Sequence, residues 1–221
     1  QSEMETDFLL ELASQNDYIK GVVGWIDLCA ENISERLAYY AGFKKLKGFR
    51  HIVQAEPDEN FLIRPDFCNG ISQLMNHQFT YDLLIFPRHL YYANALVEKV
   101  PSQPFVIDHL AKPDFKKEDY KEWEKGIRTI ARHKNVYCKI SGLVTEADWR
   151  NWRAQDFTYC LDVITASFGV DRLMFGSDWP VCLLGGTYAE VTQIVQQYFS
   201  YFSLEDQAKI FGLNAIQFYK L

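Results

Sequence analysis

The 221-residue chain is 48% hydrophobic and 15% aromatic, enough to bury the core of one large domain spanning residues 1–221. Its formal charge of −6 and the lack of any basic block argue against nucleic acid or an anionic membrane as partner, and no run approaches a membrane span or reads as a signal peptide. Five scattered cysteines, Cys29, Cys68, Cys138, Cys160 and Cys182, include no C-x-x-C pair, so reduced thiols in a cytoplasmic protein are expected rather than a disulfide framework or a zinc knuckle.

The chain opens Gln1-Ser2-Glu3 rather than with methionine, and a further segment is expected upstream. Thr6 is the expected cap of a first helix carrying Phe8, Leu9, Leu12 and Ala13. Residues 20–28 (KGVVGWIDL) read as a strand, and 32–42 as a helix ended by glycine. A second strand is predicted over 46–53, a helix over 66–77 and a strand over 81–86. Helix 90–99 then precedes strand 105–110, and a long polar-faced helix over 118–133 leads into strand 136–141. A helix over 156–168 precedes the last strand, 172–177. Helices over 188–202 and from Ser203 onward close the chain, the latter opening with a Ser203…Asp206 box.

These are six short apolar strands, each followed by a helix, as strands covered on both faces should be. Strict alternation predicts a parallel sheet, either open and doubly wound or closed as a barrel. No G-x-G-x-x-G turn follows any strand, and polar residues cluster at the ends of several strands, which favours a barrel. A (β/α)₈ barrel needs eight strands. The missing two are expected before Gln1.

Strand ends carry the candidate chemistry. His77 and His133 fall at helix ends and read as structural. His51, His89 and His109 lie at or just past strand ends, with Arg88-His89 the weaker pair because they follow Pro87 in a loop. Alternation puts His109 on the face of Phe105 and Ile107, with Asp108 pointing the other way. Asp178 alternates with Gly176 and Met174 and is expected at the mouth, as general base toward a water or as metal ligand. Arg50 and His51 are adjacent, so a regular strand turns only one of them to the axis; arginine suits a carboxylate or a lactone oxygen. Lys139 is either a Schiff-base nucleophile or the partner of interior carboxylates. Trp25 is core or pocket wall, and Cys182 is packing.

Four segments, LKGFRHIVQ (46–54), IDHLAKP (107–113), CKISGL (138–143) and FGSDWPVC (175–182), resemble the amidohydrolase-2 family. The likeness is to its branch of L-fuconolactonase, rhamnonolactonase-like and 2-pyrone-4,6-dicarboxylate lactonase enzymes. Similar spacing continues through RPDF (64–67) and the terminal NAIQFYKL (214–221). The resemblance implies a distorted (β/α)₈ barrel of the metal-dependent hydrolase type, lacking its first two strands here. It implies hydrolysis of a lactone, with Asp178 as the family's strand-eight aspartate, His109 as its strand-six histidine and Arg50 as its strand-four arginine. It also implies either no required cofactor or one divalent ion, zinc foremost, in which case Asp178 and His109 would be its ligands.

Two departures stand out. The family's strand-one His-x-His pair occurs nowhere in the sequence. The arginine that the pyrone-dicarboxylate enzyme carries after strand seven is replaced here by the cation-free stretch Gly142-Leu143-Val144-Thr145-Glu146. A neutral, hydroxylated sugar lactone is therefore expected rather than a dianion. On this reading Asp178 activates water, His109 and Arg50 orient the lactone and stabilise the oxyanion, and His51, Trp25, Lys112 and Trp179 contact substrate. A homo-oligomer is compatible with it. Two alternatives are a Schiff-base aldolase using Lys139 and an inactive barrel that binds sugar acids. Natural loss of two strands would leave exposed sheet edges, so strands upstream or swapped between subunits are the stronger expectation.

Overall fold

The computed structural model of the protein describes every residue except Glu118, so the predicted start of the 118–133 helix lies outside the described residues. Six strands form one sheet, paired in chain order and parallel throughout: β1 (Val22–Gly24), β2 (Leu46–Ile52), β3 (Thr80–Leu84), β4 (Phe105–Ile107), β5 (Val136–Ile140) and β6 (Leu173–Phe175). The sheet curls into part of a barrel, the arrangement that a (β/α)₈ fold gives to consecutive parallel strands. Parallel neighbours need a crossover between strands, and helices supply it. Helix α1 (Glu3–Gln15) precedes β1, the crossovers are α2 (Ile33–Tyr40), α3 (Pro65–Leu74), α4 (Leu90–Lys99), α5 (Lys121–Ile130), α6 (Leu143–Glu146) and α7 (Thr158–Phe168), and α8 (Tyr188–Tyr198), α9 (Leu204–Ala208) and α10 (Asn214–Tyr219) follow β6. Among the described residues no helix is long and apolar enough to cross a membrane.

The first helix is capped by Ser2, whose Oγ accepts from Glu5 N at 3.2 Å, and not by Thr6 as expected. Thr6 is fully buried. Its hydroxyl donates to Trp25 O and accepts from Trp25 N, both at 2.7 Å. Trp25 is thereby withdrawn from the ladder, which is why β1 stops at Gly24 instead of running to residue 28. Strand β4 also ends early, at Ile107, because the next residues turn left-handed.

Alternation sorts the strands into two faces. Phe49, Tyr81, Leu83, Phe105, Ile107, Cys138, Ile140 and Leu173 pack with the surrounding helices in the main core. The concave face holds a smaller apolar cluster, Val106 and Met174 with Tyr137, closed by Ala215, Phe218 and Tyr219 of α10. Asn214 anchors that helix by donating to Val170 O and Leu173 O beside β6. At the far side Lys47 of β2 donates to Lys220 O at 2.9 Å. Helix α10 thus spans the concave face from the last strand to the second.

The same face carries buried charge. Register aligns Arg50 with Asp82, Asp82 with Val106, and Lys139 with Met174. Lys139 Nζ lies 2.5 Å from Asp82 Oδ2 and 2.8 Å from Asp108 Oδ1. Arg50 donates to Asp108 Oδ2 at 3.1 Å, and the Tyr219 hydroxyl lies within 3.0 Å of both Asp82 oxygens. Both carboxylates are 1% exposed. Burial disfavours the Lys139 ammonium, yet Asp108 and Asp82 outweigh it and hold the lysine protonated, well above its ordinary range. Burial pushes the Asp108 carboxyl up, but Lys139, His109 and Arg50 together bring it down below the usual carboxylate range. Removing the shared cation would leave Asp82, which burial already pushes up, without a cation and Asp108 with Arg50 alone. Lys139→Met should cost about 3–5 kcal/mol of stability, read as a lowered urea midpoint; a loss under ~1 kcal/mol would show the network to be dispensable.

Candidate active site

After Ile107 the backbone places four consecutive non-glycine residues, His109, Leu110, Ala111 and Lys112, in the left-handed region, with φ between 53° and 57°. L-residues avoid that region, so surrounding structure must impose it. Asp108 is locked in the ion network on one side of the run. Leu110 and Ala111 are fully buried, and Trp123 Nε1 donates to Leu110 O at 2.6 Å. Lys112 N closes the turn on His109 O at 2.7 Å, and its ammonium pairs with Glu146 at 2.8 Å. The expected alternation is corrected here. Continued as a strand, the chain would have turned His109 into the helix-packed face with Ile107. The left-handed run carries it to the mouth instead, while Asp108 faces the interior.

Strand β5 delivers the complementary half. Ser141 Oγ and His109 Nδ1 are 2.7 Å apart. Gly142 is left-handed at φ 68°, and a Cβ there would lie 2.8 Å from His109 Cβ and 2.9 Å from its Cγ. The glycine therefore serves both the backbone turn and the close approach of the imidazole. The chain then enters α6, where Thr145 Oγ1 donates to Asp178 Oδ2 at 3.0 Å.

Asp178 follows β6 and is itself left-handed, at φ 56°. Its Oδ1 lies 3.7 Å from His109 Nε2, and the two side chains are 13% and 12% exposed. That spacing is longer than a hydrogen bond and leaves both groups reachable by one small molecule. Burial pushes the His109 imidazole down from its ordinary range against the pull of Asp108 and Asp178, which favours the neutral ring. With its proton on Nε2, the neutral ring accepts from Ser141 Oγ at Nδ1 and presents a donor on the side of Asp178.

The structure brings together His109 and Asp178, with Arg50 joined to them through Asp108. Arg50 keeps 42% of its side chain exposed. His51 stands apart, on the opposite face of β2. Its Nδ1 accepts from Trp25 Nε1 at 3.1 Å, its Nε2 lies 2.6 Å from Glu56 Oε1, and its ring stacks on Phe61. With both ring nitrogens occupied, the expected substrate contact by His51 has no donor left to make it. Trp25 lines a narrow crevice with Arg50, Gln1 and Ile52. Lys112 lines a cleft of about 400 Å³ with Phe86, Arg88, Lys116 and Glu146. Cations therefore reach the 142–146 region from neighbouring loops, although that stretch holds none itself. Trp179 is 63% exposed, on a rim with Val181, Leu183 and Leu184.

A catalytic zinc site uses three protein ligands. Among the described residues no group of three His, Cys, Asp or Glu side chains is placed to hold a metal ion, and His109 with Asp178 makes two donors. These residues alone do not form a metal site. The cysteines are free, with Cys138, Cys160 and Cys182 buried. Burial pushes the half-buried Cys29 thiol up to about 11, as in packing residues.

Ser141 and Thr145 escaped the reading of single strands. The signal available for them was the S-G-x-x-T spacing directly after β5: glycine marks a turn at a strand end, and hydroxyls on either side of it can reach neighbouring strand ends.

The chain is 42% identical over 228 residues to a Burkholderia multivorans protein named L-fucono-1,5-lactonase, covering 98% of this chain and 77% of that one. It is 31% identical to an L-fucono-1,5-lactonase of Burkholderia ambifaria, covering 100% of this chain and 77% of the relative. A crystal structure of a Burkholderia multivorans amidohydrolase with bound zinc superposes with a TM-score of 0.94 at 41% identity, over 100% of this chain and 80% of that one. The amidohydrolase family matches residues 1–221, and the chain belongs to that family.

Proposed function

We propose that this protein opens a sugar lactone, an aldonolactone of the fuconolactone or rhamnonolactone type, by attack of water on the lactone carbonyl. The observation that carries the mechanism is the facing of Asp178 Oδ1 and His109 Nε2 across 3.7 Å at the mouth. The names of the relatives at 42% and 31% identity support the substrate class, and a more distant relative from Scheffersomyces stipitis is named L-rhamnono-gamma-lactonase.

In this reading Asp178 accepts a proton from a water held at the mouth, and the resulting hydroxide adds to the lactone carbonyl carbon. The carbonyl oxygen gains the negative charge. The His109 Nε2–H and the Arg50 guanidinium are the donors available to it. Collapse of the tetrahedral intermediate breaks the acyl–oxygen bond of the ring, and the ring oxygen recovers the proton held by Asp178. The product is an open-chain hydroxy acid. Trp25, Trp179 and Lys112 are the sugar contacts in this reading. General-base action of this kind is worth roughly 10²–10⁴-fold, and oxyanion donors add a comparable factor.

The Schiff-base reading needs an unprotonated lysine. Lys139 is clamped between two buried carboxylates that keep it an ammonium, so borohydride should trap no substrate on it; a trapped adduct at Lys139 by mass spectrometry would revive the aldolase. The lactonase is tested by Asp178→Asn, an isosteric change that removes the base. Hydrolysis of L-fucono-1,5-lactone should fall by about 10²–10⁴-fold, with an unchanged circular-dichroism spectrum and melting temperature. A wild-type rate in the folded variant would overturn the mechanism.

A further inference from the structure

We propose that Thr145 is a positioning residue for Asp178, and that Trp149 holds Thr145 in place. The proposal rests on the reading of Asp178 as the base. A base must present one oxygen to water in a defined direction, and an aspartate side chain rotates about two single bonds. The Asp178 backbone is set by its left-handed conformation and by Cys182 N, which donates to Asp178 O at 2.9 Å. That leaves the carboxylate itself to be aimed. Thr145 Oγ1 donates to Oδ2 at 3.0 Å, which turns Oδ1 toward His109.

Thr145 can act this way only if it is itself held. It sits in α6, a helix of four residues, too short to be stable alone. Two contacts pin the segment from outside: Trp149 Nε1 donates to Thr145 O at 2.8 Å, and Glu146 pairs with Lys112 from the left-handed run. Threonine suits the position because its branched Cβ restricts χ1. Trp149 also lines a cleft of about 560 Å³ with Phe115, Lys116 and Asn151. Asp178 is thus tied through two hydrogen bonds to an indole that is 48% exposed.

The test compares Thr145→Val, Thr145→Ser and Trp149→Phe with wild type on L-fucono-1,5-lactone, with Asp178→Asn alongside and melting temperatures recorded for all. Valine keeps the shape and deletes the donor. It should lower kcat about 10- to 100-fold, with KM within about twofold, as loss of aim rather than of binding predicts. Serine restores the hydroxyl and should bring kcat back to within about threefold of wild type, whereas Trp149→Phe, which loses the N–H donor together with part of the ring, should fall between the two. A wild-type kcat for Thr145→Val, a loss confined to KM, or a serine variant no better than valine would overturn the proposal. If Asp178→Asn is inactive while Thr145→Val is normal, the positioning role fails and the base assignment stands. If folded Asp178→Asn is fully active, the base assignment fails and takes this role with it.

Discussion

One ammonium between two buried carboxylates organises the molecule. Lys139 Nζ touches Asp82 of β3 and Asp108 at the end of β4, and through them Tyr219 of α10 and Arg50 of β2. Burying ions is expensive unless every charge is paired, so these four strands and the last helix accept little variation in register. The consequence lies one residue further on. Asp108 cannot leave the interior, and the chain after it has to turn within a few residues.

That turn makes the site. A left-handed run of four residues costs backbone energy, and the structure offsets it with the buried Leu110 and Ala111, the Trp123 bond to Leu110 O and the Lys112–Glu146 pair. His109 emerges at the mouth with its Nδ1 against Ser141 and its Nε2 toward Asp178. The segment after β5 serves both catalytic candidates at once: Ser141 meets the imidazole, Gly142 makes room for it, and Thr145 meets the carboxylate. Stability and chemistry share residues here, because Asp108 belongs to the ion network and directs the turn that delivers His109.

Much of this was legible in the sequence, and the rest was hidden for identifiable reasons. Apolar runs alternating with amphipathic stretches revealed all six strands and the parallel sheet, since that pattern follows directly from burial on both faces. Asp178 stood out because an aspartate ending an apolar strand is a poor packing choice. Lys139 was recognisable as a partner for interior carboxylates, though not which ones, because Asp82 and Asp108 lie 57 and 31 positions away in sequence and meet it only across the sheet. Alternation misplaced His109, because period two holds only while the backbone stays extended, and φ turns positive at that residue. Thr6 looked like a cap and is instead the group that ends β1, a tertiary role that no local pattern announces. His51 looked as eligible as Arg50 until Trp25 and Glu56 were seen to occupy both its nitrogens.

The location of the site is tested most directly by a crystal structure with a non-hydrolysable lactam analogue of an aldonolactone. The carbonyl carbon is expected one water away from Asp178 Oδ1, with the exocyclic oxygen about 2.6–3.2 Å from His109 Nε2 or the Arg50 guanidinium. An analogue seated in the Trp149 cleft or between β1 and α10, with no atom near Asp178 or His109, would contradict the assignment of this mouth as the place of reaction.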